Sequence, residues 1–343
     1  MGLLSGIGSV RSRFLALALR RGKVTPRKLL SFASARARYR LRSERGAALP
    51  SVLIAELTNL CNLRCLHCRE DGASPVDYLG GGPPIAVGTM EYALYDRVLS
   101  EASPSLLAAV LYVSGEPLLH RDLARMVRRA TELRVPTVLS TNGMLLDGTA
   151  SKALLEAGID LVKVVTSGHS QEVYGKMHRG GDVERLKANL AGLSRARREG
   201  SSPAVVVVDY IRFPHNEHEI GEMRRFCEGL GFLFTVRRGF TVGDEEAGKS
   251  ALAGAREERI RRTPCDWLWT ILTVGWHGKV LACANETFSS RPRVLADLAA
   301  GTSVAEAWNG EPFRRLRRDQ LRGGRGNHPL CRNCHYAGLD FQY

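Results

Sequence analysis

Apolar residues recur along this chain in two rhythms. From Pro50 to about residue 240, short β-rich runs alternate with stretches in which apolar residues return at the helical period. The runs Val52 to Leu57, Ala108 to Val113, Thr137 to Ser140, Leu161 to Val165, Ala204 to Ile211 and Phe232 to Val236 read as strands. Gly72 to Gly88 is rich in Gly and Pro and reads as a long loop, after which Thr89 caps a helix with Leu94, Val98 and Leu99 on its apolar side. A second helix holds Leu123, Met126, Val127 and Ala130. A third, around Ala150 to Ala157, closes at Gly158, and another follows Asn216. Strands alternating with helices imply a parallel sheet, and six such units suit an α/β fold of partial (β/α)6 barrel type. In such barrels chemistry gathers at the C-terminal ends of the strands. Here those ends carry Ser114-Gly115-Glu116-Pro117, Thr141-Asn142-Gly143 and Thr166-Ser167-Gly168.

The first fifty residues follow a different pattern. Leu15, Leu17 and Leu19, then Leu29, Leu30 and Phe32, are interleaved with Arg20, Arg21, Lys23, Arg27 and Lys28, and Thr25-Pro26 reads as a helix start. This predicts two short amphipathic helices. The segment holds twelve Lys or Arg against one acid, Glu44, so the other 293 residues carry only +3 of the net charge of +14. The basicity therefore belongs to the extension. Such helices could lie on an anionic membrane face, touch nucleic acid, or pack on the main domain with their charges solvated. Taken over all 343 positions, composition is ordinary for a soluble globular protein, with 44% hydrophobic and 24% charged residues. No run of eighteen apolar residues exists, Phe14 to Leu19 is too short for a signal-peptide core, and Gly6 stands where myristoylation asks for Ser or Thr. A cytoplasmic location is expected.

Eight cysteines change the picture, because seven fall into two groups that suit metal ligation in a reducing compartment. Cys61, Cys65 and Cys68, at C-x3-C-x2-C directly after the first strand, can hold three corners of a cubic iron–sulfur cluster and leave one iron without a protein ligand. Near the C-terminus, Cys265 and Cys283, with Gly278 before the latter, are followed by Cys331 and Cys334. For either group a zinc site remains an alternative on spacing alone, as do buried thiols for the first.

The order of these features resembles radical S-adenosylmethionine (SAM) enzymes over about residues 51 to 343. The resemblance implies that SAM sits on the open iron of a 4Fe-4S cluster held by Cys61, Cys65 and Cys68, and is split to a 5′-deoxyadenosyl radical. It implies that Gly115 and Glu116 contact SAM, that Ser140 and Asn142 reach SAM or substrate, and that His67 lies beside the adenine. Ser167 could bond the SAM ribose or carboxylate, but many relatives have an acid in this strand-end motif, and here it is missing. The distal cysteines resemble a twitch extension, a shortened SPASM domain, with Ile271 to Val274 and Lys279 to Ala282 as its hairpin. No cysteine follows Cys334, so one auxiliary 4Fe-4S cluster, held by Cys265, Cys283, Cys331 and Cys334, is expected. The resulting organisation is a basic helical extension (1–50), a radical SAM partial barrel (51–245), and a linker with a small α+β twitch domain (246–343).

A fully ligated second cluster is suited to passing electrons rather than binding substrate. The resemblance therefore implies an oxidoreductase that dehydrogenates a small polyol, sugar or aminocyclitol. Peptide maturation is the first alternative. An epimerase, with Cys227 as hydrogen donor, is another, although Ile220, Met223, Phe226, Cys227 and Leu230 form one helical stripe that favours core packing. A zinc-stabilised nucleic-acid-binding protein is the alternative of a different class; under the main reading no nucleic acid is expected. Asp209, Tyr210, Arg212 and Arg237 are candidate substrate contacts. The positive balance suits an acidic flavodoxin or ferredoxin as reductant.

Overall fold

Strands of three to eight residues with Val, Leu and Ile on both faces are stable only when paired on their edges and covered on each side. The computed structural model describes residues 5–66, 68, 75, 77, 82–239, 262–326, 328–332 and 334. Two helices, α1 (Ser5–Arg20) and α2 (Pro26–Arg40), precede β1 (Val52–Ala55). Then follow α3 (Tyr92–Ala102), β2 (Ala108–Val110), α4 (Leu123–Glu132), β3 (Thr137–Thr141), α5 (Gly148–Glu156) and β4 (Leu161–Thr166). The series continues with α6 (Gln171–Met177), α7 (Val183–Glu199), β5 (Val205–Arg212), α8 (Ile220–Gly229) and β6 (Leu233–Arg238). Strands β1 to β6 pair in sequence order and all in parallel, as six β/α units require.

The sheet does not end at β1. A short turn of helix, α9 (Trp267–Thr270), feeds β7 (Ile271–Val274), which pairs in parallel with the free edge of β1. Strands β8 (Lys279–Leu281) and β9 (Val294–Asp297) then add antiparallel, so nine strands run β6-β5-β4-β3-β2-β1-β7-β8-β9. The expected hairpin is present, and Gly278 makes its turn at φ +83°, where a Cβ would also stand 2.8 Å from that of Ala299. Helices α10 (Val304–Asn309), α11 (Glu311–Gly323) and α12 (Pro329–Arg332) complete the described chain. The expected linker from 246 lies outside the described residues.

Most strand ends shift from the sequence reading by one or two residues, and three differences near the site have identifiable reasons. β1 stops at Ala55 rather than Leu57, because Leu57 O accepts the amide of Met90 and Asn59 N donates to Gly88 O, drawing the chain off the sheet. Thr89 is not a helix cap; it bridges Thr58, and α3 begins at Tyr92 after Glu91. β2 stops at Val110, three residues early, as the chain turns so that Ser114 meets Glu56.

Alternation along the strands sorts residues between two faces. Leu53, Ala55, Ala109, Leu139, Val162, Val164, Val206 and Val208 share one core with residues of α3 to α8. Val52, Ile54, Val110, Val138, Leu161, Val205 and Val207 face the other way, where Val10 and Leu17 of α1 pack against them. The basic extension is thus part of the body. Thr25 caps α2 by accepting from Lys28 N, with Pro26 in the first turn, as its sequence predicts. Arg21 and Lys23 pair with the buried Asp160 at 2.8 and 2.6 Å, and Arg36 pairs with Asp266 at 2.8 Å. Leu15, Leu19, Leu29, Leu30 and Leu41 remain exposed. Among the described residues no helix is long and apolar enough to cross a membrane.

Candidate functional site

The cysteine loop leaves the C-terminal end of β1 and is pinned from two sides. Arg64 N and Leu66 N donate to the carbonyls of Arg179 and Met177, and Glu116 N donates to Leu60 O at 2.8 Å. Gly115 makes the second contact fit: a Cβ there would stand 2.3 Å from Thr58 O and 2.6 Å from Leu60 O. Its missing side chain lets the β2 strand end lie against the chain entering the loop. Cys61 and Cys68 are half-buried and Cys65 is buried. Cys65 Sγ lies 3.3 Å from Nδ1 of His178, whose ring stacks on Tyr174 at 4.6 Å. His67 lies outside the described residues.

Glu116 ties two strand ends together. One carboxylate oxygen accepts from Leu118 N at 3.0 Å and the other from Asn142 N at 2.8 Å. Burial pushes its carboxyl up to about 7, against those donated bonds, which pull it down. Asn142 in turn directs Nδ2 to Asn62 Oδ1 at 2.8 Å and towards Cys61 Sγ at 3.9 Å. Glu116, Asn142 and Cys61 therefore form one connected rim. Ser140 is buried on β3. Ser167, just after β4, is fully buried, and its Oγ has no hydrogen-bond partner among the described residues. A buried hydroxyl left over at a strand end fits a bound polar ligand.

Below this rim the sheet face opposite α3 to α8 turns polar. Ser114 donates to Glu56 at 2.6 Å, and Glu56 itself is buried. Asp209 on β5 accepts from Arg237 at 2.6 Å and Thr235 at 3.1 Å, with Lys163 Nζ at 3.9 Å and 5.3 Å from the Tyr112 ring centre. Of the proposed substrate contacts, Asp209 and Arg237 thus belong to this cluster. Tyr210 does not: it points into the helix-side core and donates to Asn216 O. Among the described residues the Arg212 side chain pairs only with Glu217, at 3.6 Å. Sequence reading missed Glu56 and Lys163, although an acid closing an apolar strand and a Lys inside Leu-Val-Lys-Val-Val were visible signals.

Burial pushes Lys163 down to about 8, with Asp209 opposing. An unfolded Lys titrates near ~10.4. Between about pH 8 and ~10.4 the unfolded chain therefore binds the extra proton, and stability rises with pH through that window. Lys163→Met should flatten part of this rise in anaerobic urea titrations at pH 7 to 10. A slope equal to wild type would show that Lys163 is not held in this depressed state.

The four distal cysteines, half-buried in the structure, line one pocket together with Asn285, Arg293, Gln320 and Arg325. Burial pushes the Cys265 thiol up to about 12 and that of Cys283 well above its ordinary value. Thiolates in such a place need cations to hold them, and cluster irons supply those. Among the described residues no three His, Cys, Asp or Glu side chains are grouped to hold a single metal ion. Four thiols lining one pocket are a donor set that a 4Fe-4S cluster takes. Cys227 lies fully buried in the helix-side core, away from the polar sheet face, which supports packing over hydrogen donation; burial pushes its thiol up to about 12.

Fold and site together define an α/β domain that presents a three-cysteine loop at the C-terminal end of a parallel strand, with a four-cysteine pocket beyond it. The chain belongs to the radical SAM superfamily: that family's model matches residues 55–227, and the SPASM iron–sulfur cluster-binding domain matches residues 265–335. This membership replaces the zinc-stabilised nucleic-acid-binding alternative. A probable GTP 3′,8-cyclase of Methanocaldococcus jannaschii is 26% identical over 56% of the chain, which spans 60% of that protein's length. PqqA peptide cyclase of Granulibacter bethesdensis is 25% identical over 85% of the chain and 81% of its own length. Among solved structures, BtrN in complex with AdoMet and 2-DOIA superposes with a TM-score of 0.51 at 18% identity, covering 84% of this chain and 94% of BtrN.

Proposed function

We propose that this radical SAM enzyme is an oxidoreductase that dehydrogenates a small polyol, sugar or aminocyclitol. The observation that carries the reading is the polar lining of the sheet face beneath the cysteine loop. Glu56, Ser114, Lys163, Asp209 and Arg237 set paired hydrogen-bond donors and acceptors on one sheet face, which suits a molecule with several hydroxyl or amino groups. Cys61, Cys65 and Cys68 would hold the cluster that binds SAM, and Cys265, Cys283, Cys331 and Cys334 an auxiliary 4Fe-4S cluster. Gly115, Glu116, Ser140, Asn142, Ser167 and His67 would line the SAM site. When bound, these groups supply the deoxyadenosyl radical, which takes one substrate hydrogen atom, and the acceptor for the electron that leaves with the second hydrogen's proton. The chain's own part is positional. Glu116 and Asn142 brace the loop that presents the cysteines, while the charged groups on β4, β5 and β6 orient the substrate and receive its proton. An acidic flavodoxin or ferredoxin would be the reductant.

Peptide maturation is the second reading, favoured by the match to a PqqA peptide cyclase along most of both chains. Reduced enzyme incubated with SAM and carbon-deuterated polyols, aminocyclitols or peptides decides between them. Deuterium in 5′-deoxyadenosine and a product two hydrogens lighter are expected from a polyol or aminocyclitol. Transfer from peptides alone would replace this reading with the second.

A further inference from the structure

Among the described residues, polar side chains stand beside sulfurs of both cysteine groups. Near the first, Asn142 Nδ2 lies 3.9 Å from Cys61 and His178 Nδ1 lies 3.3 Å from Cys65. Near the second, Arg293 Nη2 donates to Cys331 at 3.2 Å, Gln320 Nε2 stands 3.6 Å from the same sulfur, and Asn285 Nδ2 lies 4.0 Å from Cys334. Of these five donors only Arg293 carries a permanent charge. Its aim is fixed by Glu286, a carboxylate 1% exposed, which accepts from Arg293 Nε at 2.6 Å and from the Arg293 amide at 2.9 Å. Glu286 stands three residues after Cys283 and Arg293 directly before β9, so hairpin and cysteine group position each other.

We propose that Arg293 is a positioning residue that raises the reduction potential of the cluster held by Cys265, Cys283, Cys331 and Cys334, in keeping with a role for that cluster as electron acceptor. Reduction adds negative charge that the cysteine sulfurs share. A cation and an N–H bond at a sulfur stabilise the reduced form more than the oxidised one. Glu286 works against this, since its carboxylate also meets Nη2 at 2.6 Å; the gain is therefore local to Cys331, whose sulfur takes an N–H from that same Nη2 at 3.2 Å. Arg325, buried in the same pocket, adds a second cation. The inference rests on the reading of the distal cysteines as cluster ligands.

The test is a redox titration followed by electron paramagnetic resonance on the anaerobically reconstituted full chain, with iron counted in each variant. In Arg293→Met the auxiliary midpoint should fall by at least ~59 mV, the one-electron equivalent of a tenfold change in its reduction equilibrium. Arg293→Gln, which keeps an N–H donor without the charge, should fall less. The first cluster's midpoint should not move in either variant. An unchanged auxiliary midpoint in a fully loaded variant would overturn the proposal. So would loss of the distal irons in both variants, which would make Arg293 an assembly residue. A separate control, Cys265→Ala with Cys283→Ala, addresses the ligands: if iron content stays at the wild-type value, the ligand reading fails, whatever the midpoints show.

Discussion

Replacing Cys61, Cys65 and Cys68 together by Ala will lower bound iron from about eight to about four per chain and reduce 5′-deoxyadenosine formation to background. The expectation follows from the division of the cysteines into two separately placed groups. The loop's backbone is held by Met177, Arg179 and Glu116 through main-chain bonds that the substitutions leave in place, so the fold should persist and the distal site should still load. The reciprocal variant, Cys265→Ala with Cys283→Ala, should keep SAM cleavage while losing the two-electron oxidation. Iron and sulfide analysis with chromatographic detection of 5′-deoxyadenosine reads both. Cleavage surviving in the triple variant would remove the radical centre from this loop, and cleavage lost equally in both variants would contradict two sites with separate tasks.

How much of this was legible follows from the range of each interaction. The six parallel strands could be read because alternation and turn residues are local, and the strand-end positions of Asn142 and Glu116 because they sit in short motifs; their contact with each other was not visible. Sequence reading placed Gly115 at the ligand. The structure adds that its bare Cα accommodates the backbone of Thr58 and Leu60, a contact between segments more than fifty residues apart. Lys163 belongs to the polar lining only because β4, β5 and β6 lie side by side, bringing Asp209 and Arg237 to it. The same holds for His178 against Cys65, 113 positions away. The hairpin was visible from Gly278, but not the pairing of β7 with β1, because an exposed parallel edge leaves no signature in either strand. The tendency of the first fifty residues to form helices was equally clear. Their attachment was not, since its partner, Asp160, is one acid at the start of β4.

That acid carries the largest expected effect on stability. Asp160 is fully buried and accepts from Arg21 and Lys23, and from the amide and hydroxyl of Thr137. Lys23 is 2% exposed, and burial lowers its pKa against the pull of Asp160. Asp160→Ala leaves this ammonium buried without its counter-charge, a change that costs about 3–5 kcal/mol and on the order of 10 °C in Tm. Surface pairs such as Lys152 with Glu156 should contribute under ~1 kcal/mol on the same assay. Most of the loss should come from the stranded charge rather than from the missing attraction, so adding Lys23→Met to Asp160→Ala should restore a large part of it. Asp160 precedes β4, whereas the cysteine loop follows β1, at the opposite ends of parallel strands. Iron content per folded chain should therefore stay at the wild-type value in both variants. Anaerobic thermal unfolding with iron analysis measures each quantity, and an equal loss in the single and double variants would show that the ion pair does not anchor the extension.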